Sequence, residues 1–438
     1  MRVLIAAPAL DAHFNGCVPL AWALRTAGHD VRVAAQPPLT GGITAAGLTA
    51  VPVGEDPELA RVMAEAGPLI YAHHEGRDLM GDQDGRADAE FLRRSSDLLT
   101  SSFYSRINSE RTIDDLVAFC RGWRPDLILW ETFSFAGAVA ARVTGTPHAR
   151  LLWGPDLFMQ MRGTLLGHLA EAGAGEGADA ARAPGADPLR DWLTGQLARF
   201  GLDFTEETVT GQWRVDQMPA SMRLAPGQRT VSTRYVPYNG PVPATVPHWL
   251  RGAPERPRIC LTKGLSVRTI DSPDGRAVTT SDFFEAVAGL DAEVVAILGE
   301  DERAGLPAVP DNIRLVDFTP LHVLLPTCSA IVHHGGAGTW STAAVYGVPQ
   351  LILASMWDNV HRARRTEELG AGLFLPPAVL TPASLRAGLD RLLSEPSFLE
   401  RAGDLRAEMT SEPAPNDIVP VLEHLAAEHR AGAAASAA

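Results

Sequence analysis

Ser329-Ala330-Ile331-Val332-His333-His334-Gly335-Gly336-Ala337-Gly338-Thr339 decides the fold of this 438-residue chain. Ser329–His333 reads as a short buried strand, and Thr339–Tyr346 reads as a helix closed by Gly347. The glycines between them make a tight strand-to-helix turn, the unit from which parallel α/β sheets are built. Glycine lets the backbone come close to phosphate oxygens, and the free N–H groups of a helix start point at them. Thr339 adds a hydroxyl, and a histidine side chain can donate to an oxygen. Neighbouring strand residues face opposite sides, so only His334 should face the phosphate while His333 is structural. A plain tight turn has the same composition, so the reading depends on its surroundings. Zinc is a weaker reading of the two histidines, because no Cys/His cluster is close in sequence.

The same alternation continues on both sides of this turn. Arg258–Leu261, Glu293–Leu298, Ile313–Val316, Gln350–Leu353 and Gly372–Leu375 read as strands. Asp282–Ala288 is a helix between two of them, and Thr381-Pro382 opens another with an N-cap and a first-turn proline. Near the start, Val3–Ala7 is a strand, Pro8–Gly16 a loop, Val18–Ala27 a helix ended by Gly28, and Val31–Ala34 a strand. Asp126–Trp130 and Phe135–Val143 repeat the pattern. Gly54–Ser109 looks polar and irregular with a few helical patches. Ala170–Pro188, rich in Ala, Gly and Pro, reads as a mobile excursion. Prolines crowd between Met218 and Arg258 and place a linker there. The expected organisation is α/β, with a Rossmann-like domain over 1–217, a linker over 218–257 and a second Rossmann-like domain over 258–438. Ligands of such folds sit at the carboxyl ends of the strands, here in the cleft between domains.

Composition narrows the function. Hydrophobic residues make up 46% and charged residues 21%, as in an ordinary soluble protein. The formal charge of −14, with no long basic run, argues against nucleic-acid binding. A phosphate site must therefore work locally, without help from the overall field. The four cysteines, Cys17, Cys120, Cys260 and Cys328, form no CxxC pair and suit a reducing cytosol. The N-terminus opens on a strand-like run broken by Pro8, and no apolar run approaches the ~18–20 residues that span a bilayer. A cytoplasmic protein is expected.

Four further groups could carry chemistry. Trp357-Asp358-Asn359 follows a strand, and an acid beside an amide suits sugar hydroxyls, although Asp-Asn is also a common turn and N-cap pair. His13 lies in the first loop, Asp11-Ala12-His13-Phe14-Asn15, at the cleft. It can take a proton near neutral pH, with Glu131 holding its other ring nitrogen. Taken alone, a loop histidine is more often an exposed residue. Trp153, Phe158 and Met159 either line an aromatic pocket or belong to the core. Asp82-Gln83-Asp84 has the spacing of a metal-binding acid pair but sits in a polar, Gly-rich stretch and reads as solvated loop.

Taken together, these motifs resemble the inverting, metal-independent glycosyltransferases of the GT-B fold, a family that includes plant secondary-metabolite and actinobacterial antibiotic enzymes. The similarity covers essentially the whole chain. Ser329–Thr339 followed by Trp357-Asp358-Asn359 is specific for the family. The opening Asp11–Asn15 with Pro19-Leu20-Ala21-Trp22-Ala23-Leu24, and Arg124-Pro125-Asp126-Leu127-Ile128-Leu129-Trp130-Glu131, are similar to transferases of deoxysugars onto anthracycline and macrolide polyketides.

The resemblance implies roles for individual residues. His13 stands at the general base, with Glu131 where many members have aspartate. His334, Gly336, Gly338 and Thr339 stand at the diphosphate. Asp358 and Asn359 stand at the sugar-contacting pair, with Asn where Gln is usual. Phe318 stands where a Trp often stacks on the base, and Ser266, in Gly264-Leu265-Ser266, stands at a donor-binding hydroxyl. The resemblance further implies a dTDP-deoxysugar as co-substrate, a polyketide aglycone as acceptor, no cofactor or metal, and a helper protein related to haem monooxygenases. Two other readings remain: a nicotinamide oxidoreductase, which lacks its Gly-x-Gly-x-x-Gly after the first strand, and an inactive family member that binds or scaffolds.

Overall fold

The computed structural model describes residues 1–74, 88–173, 185–224, 229–241, 245–262, 280–303, 306, 308–355 and 357–437. Two parallel sheets organise the chain. The first has the order β3-β2-β1-β4-β5-β6-β7. Its strands are β1 (Arg2–Ala6), β2 (Asp30–Ala35), β3 (Thr49–Pro52), β4 (Leu127–Glu131), β5 (His148–Leu152), β6 (Trp213–Asp216) and β7 (Thr230–Ser232). The second has the order β10-β9-β8-β11-β12-β13. It comprises β8 (Arg258–Thr262), β9 (Glu293–Ile297), β10 (Ile313–Val316), β11 (Ala330–His333), β12 (Gln350–Ile352) and β13 (Gly372–Phe374).

Strands covered by helices on both faces need apolar residues throughout, and β4, β5, β8 and β11 are buried at every position. Separate clusters of buried side chains fill the two faces of each sheet. In each sheet the strand order reverses once, between β1 and β4 and between β8 and β11. Such switch points open a crevice at the carboxyl ends of the strands. His13 follows β1, Glu131 ends β4 and the glycine turn follows β11, so all three lie at switch points.

Several stretches depart from the sequence reading. Pro8–Gly16 is not all loop: Asp11–Asn15 forms one helical turn, anchored by Phe14 at 1% exposure, and it carries His13. Gly54–Ser109 is largely helical where described, with Leu59–His74 and Ala89–Leu99. In the second helix Asp88 accepts the Phe91 N–H, and Phe91, Leu92, Ser95 and Leu99 are buried while Glu90, Arg94 and Asp97 face out. That amphipathic period was masked by an overall polar composition. Within Ala170–Pro188, helix Leu157–Gly173 continues into the stretch, 174–184 lie outside the described residues, and Asp187 is buried against Arg162. The proline-dense stretch contributes β7 to the first sheet. The final helix, Val419–Ala437, returns to the first domain, where Val419, Leu422, Leu425 and Ala426 join the core beside β1 and β2. Among the described residues no helix is long and apolar enough to cross a membrane.

Candidate active site

The glycine turn has the expected form. Gly335 has φ +88°, which favours glycine, and Gly336 precedes helix Ala337–Tyr346 without any side-chain cap, leaving the first-turn N–H groups open to a ligand. Gly347 closes the helix in the left-handed region. His333 turns inward. Its Nδ1 accepts the Gly335 N–H at 3.0 Å and its Nε2 donates to Gln350 Oε1 at 2.8 Å, so it is a neutral ring that holds the turn. Burial, then the neighbouring His334, brings its pKa down to about 3.

His334 lies over Gly336: a Cβ there would be 2.6 Å from its Nε2. Its Nδ1 is buried without a hydrogen-bond partner. Burial, then the Arg362 guanidinium, depresses its pKa to about 4 against the opposing pull of Asp358. It therefore meets a ligand at neutral pH as a neutral donor. Gly338 is exposed in the first helical turn, and a Cβ there would meet nothing nearer than Tyr235 Oη at 3.9 Å. Thr339 is half-buried beside it.

Asp358 and Asn359 open helix Trp357–Glu368 rather than lying in a loop, and Trp357 takes φ +53° to start it. Their side chains are held by Arg362, which the sequence reading passed over. Arg362, 1% exposed, donates to Asp358 Oδ2 at 2.5 Å, to Asn359 Oδ1 at 2.6 Å and to the Gly335 carbonyl at 2.8 Å. One guanidinium thus joins the acid–amide pair to the glycine turn. The four-residue spacing from Asp358 was the only sequence signal for it. Phe318 is half-buried between β10 and the short helix Leu321–Leu324, at the carboxyl edge of the same sheet. Ser266 and Asp82-Gln83-Asp84 lie outside the described residues.

On the facing domain the histidine and the acid meet. His13 Nδ1 is 2.8 Å from Glu131 Oε1, with side-chain exposures of 13% and 0%. Glu131 also accepts the Thr132 hydroxyl at 2.5 Å, the Phe133 N–H at 3.0 Å and the Trp153 indole N–H. Burial pushes the Glu131 carboxyl up, but the His13 charge and the hydrogen bonds from His13, Thr132 and Phe133 outweigh it and leave it lowered. An ionised carboxylate fully removed from water and facing one ring nitrogen leaves the other, Nε2, to take a proton. Phe133 and Trp153 wall the ring, at centroid distances of 4.9 and 4.5 Å. Phe158 packs against Phe133, Tyr104 and Trp357, so aromatic rings run from the dyad to the helix bearing Asp358. Phe158 and Met159 also line a small cavity with Leu92, Leu99 and Tyr104.

A His–Glu dyad on one Rossmann-like sheet and a diphosphate-type turn with an acid–amide pair on the other define a glycosyltransferase of the GT-B architecture. Family models bear this out: residues 22–264 match the N-terminal domain and residues 281–425 the C-terminal domain described as erythromycin biosynthesis protein CIII-like. The chain belongs to that family of glycosyltransferases. It is 56% identical over 431 residues to the aklavinone 7-beta-L-rhodosaminyltransferase of Streptomyces galilaeus, covering 98% of this chain and 97% of the relative. It is 51% identical to the TDP-daunosamine transferase DnrS of Streptomyces peucetius, over 99% of both chains. The crystal structure of the glycosyltransferase VinC in complex with dTDP superposes with a TM-score of 0.85 at 39% identity, covering 98% of this chain and all of that one.

Proposed function

We propose that the chain transfers a deoxysugar from a dTDP-sugar to a hydroxyl of an anthracycline- or macrolide-type polyketide aglycone, with inversion, in antibiotic biosynthesis. The observation that carries the reading is the His13–Glu131 dyad on one domain and the Arg362-clamped turn on the other. The names of the relatives, which transfer rhodosamine and daunosamine, support the class of donor and acceptor.

The reaction is a single displacement. His13 Nε2 takes the proton of the acceptor hydroxyl while its oxygen bonds to the anomeric carbon. The bond from that carbon to the diphosphate oxygen breaks, and dTDP leaves with the electron pair. Glu131 stabilises the imidazolium, and His334 with the open helix start stabilises the charge growing on the diphosphate. His334, Gly336, Gly338 and Thr339 bind the diphosphate, Asp358 and Asn359 the sugar, Phe318 the thymine ring, and Ser266 contributes a hydroxyl to the donor. Phe158 and Met159 face the aglycone. The chemistry needs no cofactor and no metal. Action in the cytoplasm, with a helper protein related to haem monooxygenases, is part of the proposal.

A transfer assay tests it, pairing a panel of dTDP-deoxysugars with polyketide aglycones, with and without a candidate helper. Calorimetry with dTDP tests the donor site separately. Undetectable dTDP binding would overturn the donor assignment. Binding without any transfer across the panel would favour the alternative, a catalytically inactive member that binds or scaffolds.

A further inference from the structure

Trp153 follows β5 and holds two parts of the dyad at once. Its indole N–H donates to Glu131 Oε1, the same oxygen that faces His13, and its ring stands edge-on to the His13 ring at 4.5 Å and 71°. The next residue, Gly154, touches the other domain. A Cβ there would lie 3.1 Å from Arg362 Nη1 and 3.4 Å from Asp358 Oδ2. A single peptide link therefore connects the carboxylate that supports the base to the guanidinium that clamps the sugar-contacting acid.

We propose that Trp153 is a positioning residue for the His13–Glu131 dyad and that Gly154 couples it to the donor clamp. The inference rests on the transferase reading above, with His13 as base. Glu131 has no exposed surface, so each donor on its carboxylate offsets desolvation and fixes the rotamer that His13 must meet. Removing the indole donor leaves more uncompensated negative charge beside His13. The pair then takes up a proton at higher pH, whichever of the two groups carries it. Donor occupancy at Asp358 and Arg362 constrains Gly154, and with it the direction from which the indole approaches.

Trp153→Phe keeps a ring and removes the N–H. Its kcat should fall about ten- to a hundredfold, the usual scale of one hydrogen bond to a charged group. The acid limb of its kcat–pH profile should move to higher pH, with dTDP affinity unchanged within about twofold. A raised aglycone KM with unaltered kcat and acid limb would instead make Trp153 a pocket wall and overturn the proposal. Gly154→Ala keeps the indole N–H in the chain and gives a second readout. It should weaken dTDP binding and also lower kcat at saturating donor, and its effect on kcat should be non-additive with that of Trp153→Phe. Additive effects would refute the coupling. His13→Ala separates this inference from the reading beneath it. Retained transfer in His13→Ala overturns the base assignment itself, whereas an inactive His13→Ala beside an unshifted Trp153→Phe overturns only the role of Trp153.

Discussion

Arg362 donates its Nε–H to the carbonyl of Gly335, 27 residues earlier in the chain, at 2.8 Å. The same side chain holds Asp358 and Asn359. Lysine keeps the charge but cannot make three directed bonds in a planar fork. Arg362→Lys is expected to weaken dTDP binding about ten- to a hundredfold, the scale of one or two lost hydrogen bonds to charged groups. Calorimetry with dTDP measures this, and wild-type affinity in the variant would show that the clamp does not shape the donor site.

Gly336 and Gly338 should respond differently to the same substitution. Gly336 has φ −58°, so alanine there brings no backbone strain, but its Cβ would lie 2.6 Å from His334 Nε2 and displace the ring. Gly338→Ala meets open space in the free protein. Gly336→Ala should lower the melting temperature and abolish dTDP binding, whereas Gly338→Ala should melt like the wild type and lose affinity only. A differential scanning experiment with and without dTDP separates them, and equal melting temperatures for the two variants would contradict the packing role of Gly336.

Replacing Glu131 by glutamine removes the charge and exchanges one carboxylate oxygen for an NH2 group of similar size. The imidazolium formed in the transition state then loses its counter-charge, and kcat should drop about a hundredfold or more, within the usual range for general-base catalysis. Affinity for dTDP should stay, because the dyad stands on the other domain. Single-turnover rates with saturating donor read the effect directly.

His148, His333 and His334 make the protein sensitive to acid. Burial first, then nearby positive groups, brings His148 and His333 down to about 3 and His334 to about 4. Their neutral forms are favoured in the folded state, so their contribution is complete above the unfolded histidine pKa of about 6.5 and is lost as the pH falls towards those folded values. Each adds up to about 1.4 kcal/mol of destabilisation per pH unit in that window. The melting temperature should fall steadily from pH 6.5 to pH 4.5, and His148→Gln should flatten the slope. His148 accepts the Trp130 indole N–H at 3.1 Å, which glutamine can also accept. A pH-independent melting temperature over that range would sink the argument.

Much of this was legible in the sequence because it is local. The glycine turn, the helix ended by Gly347 and the cap at Thr381 depend on residues within one turn of each other, and Thr381 does accept the Ser384 N–H. The pairing of His13 with Glu131 rests on the family resemblance; the structure accounts for it by making β1 and β4 neighbours at a switch point. What escaped notice depends on distant partners. Trp153 reaches Glu131 only because β5 lies in parallel register with β4, with Leu151 opposite Glu131. Arg362 reaches Gly335 across a helix and a strand. β7 is three residues long inside a proline-rich stretch, and its reason to be a strand is the exposed edge of β6.

The return of the last helix to the first domain bears on recombining such proteins. Met1–Pro257 made alone would lack Val419, Leu422, Leu425 and Ala426 from its own core, and the ion pair of Asp126 with Arg430. A hybrid that borrows the amino-terminal half of one relative and the carboxy-terminal half of another therefore has two seams. Its carboxy-terminal helix must travel with the amino-terminal half.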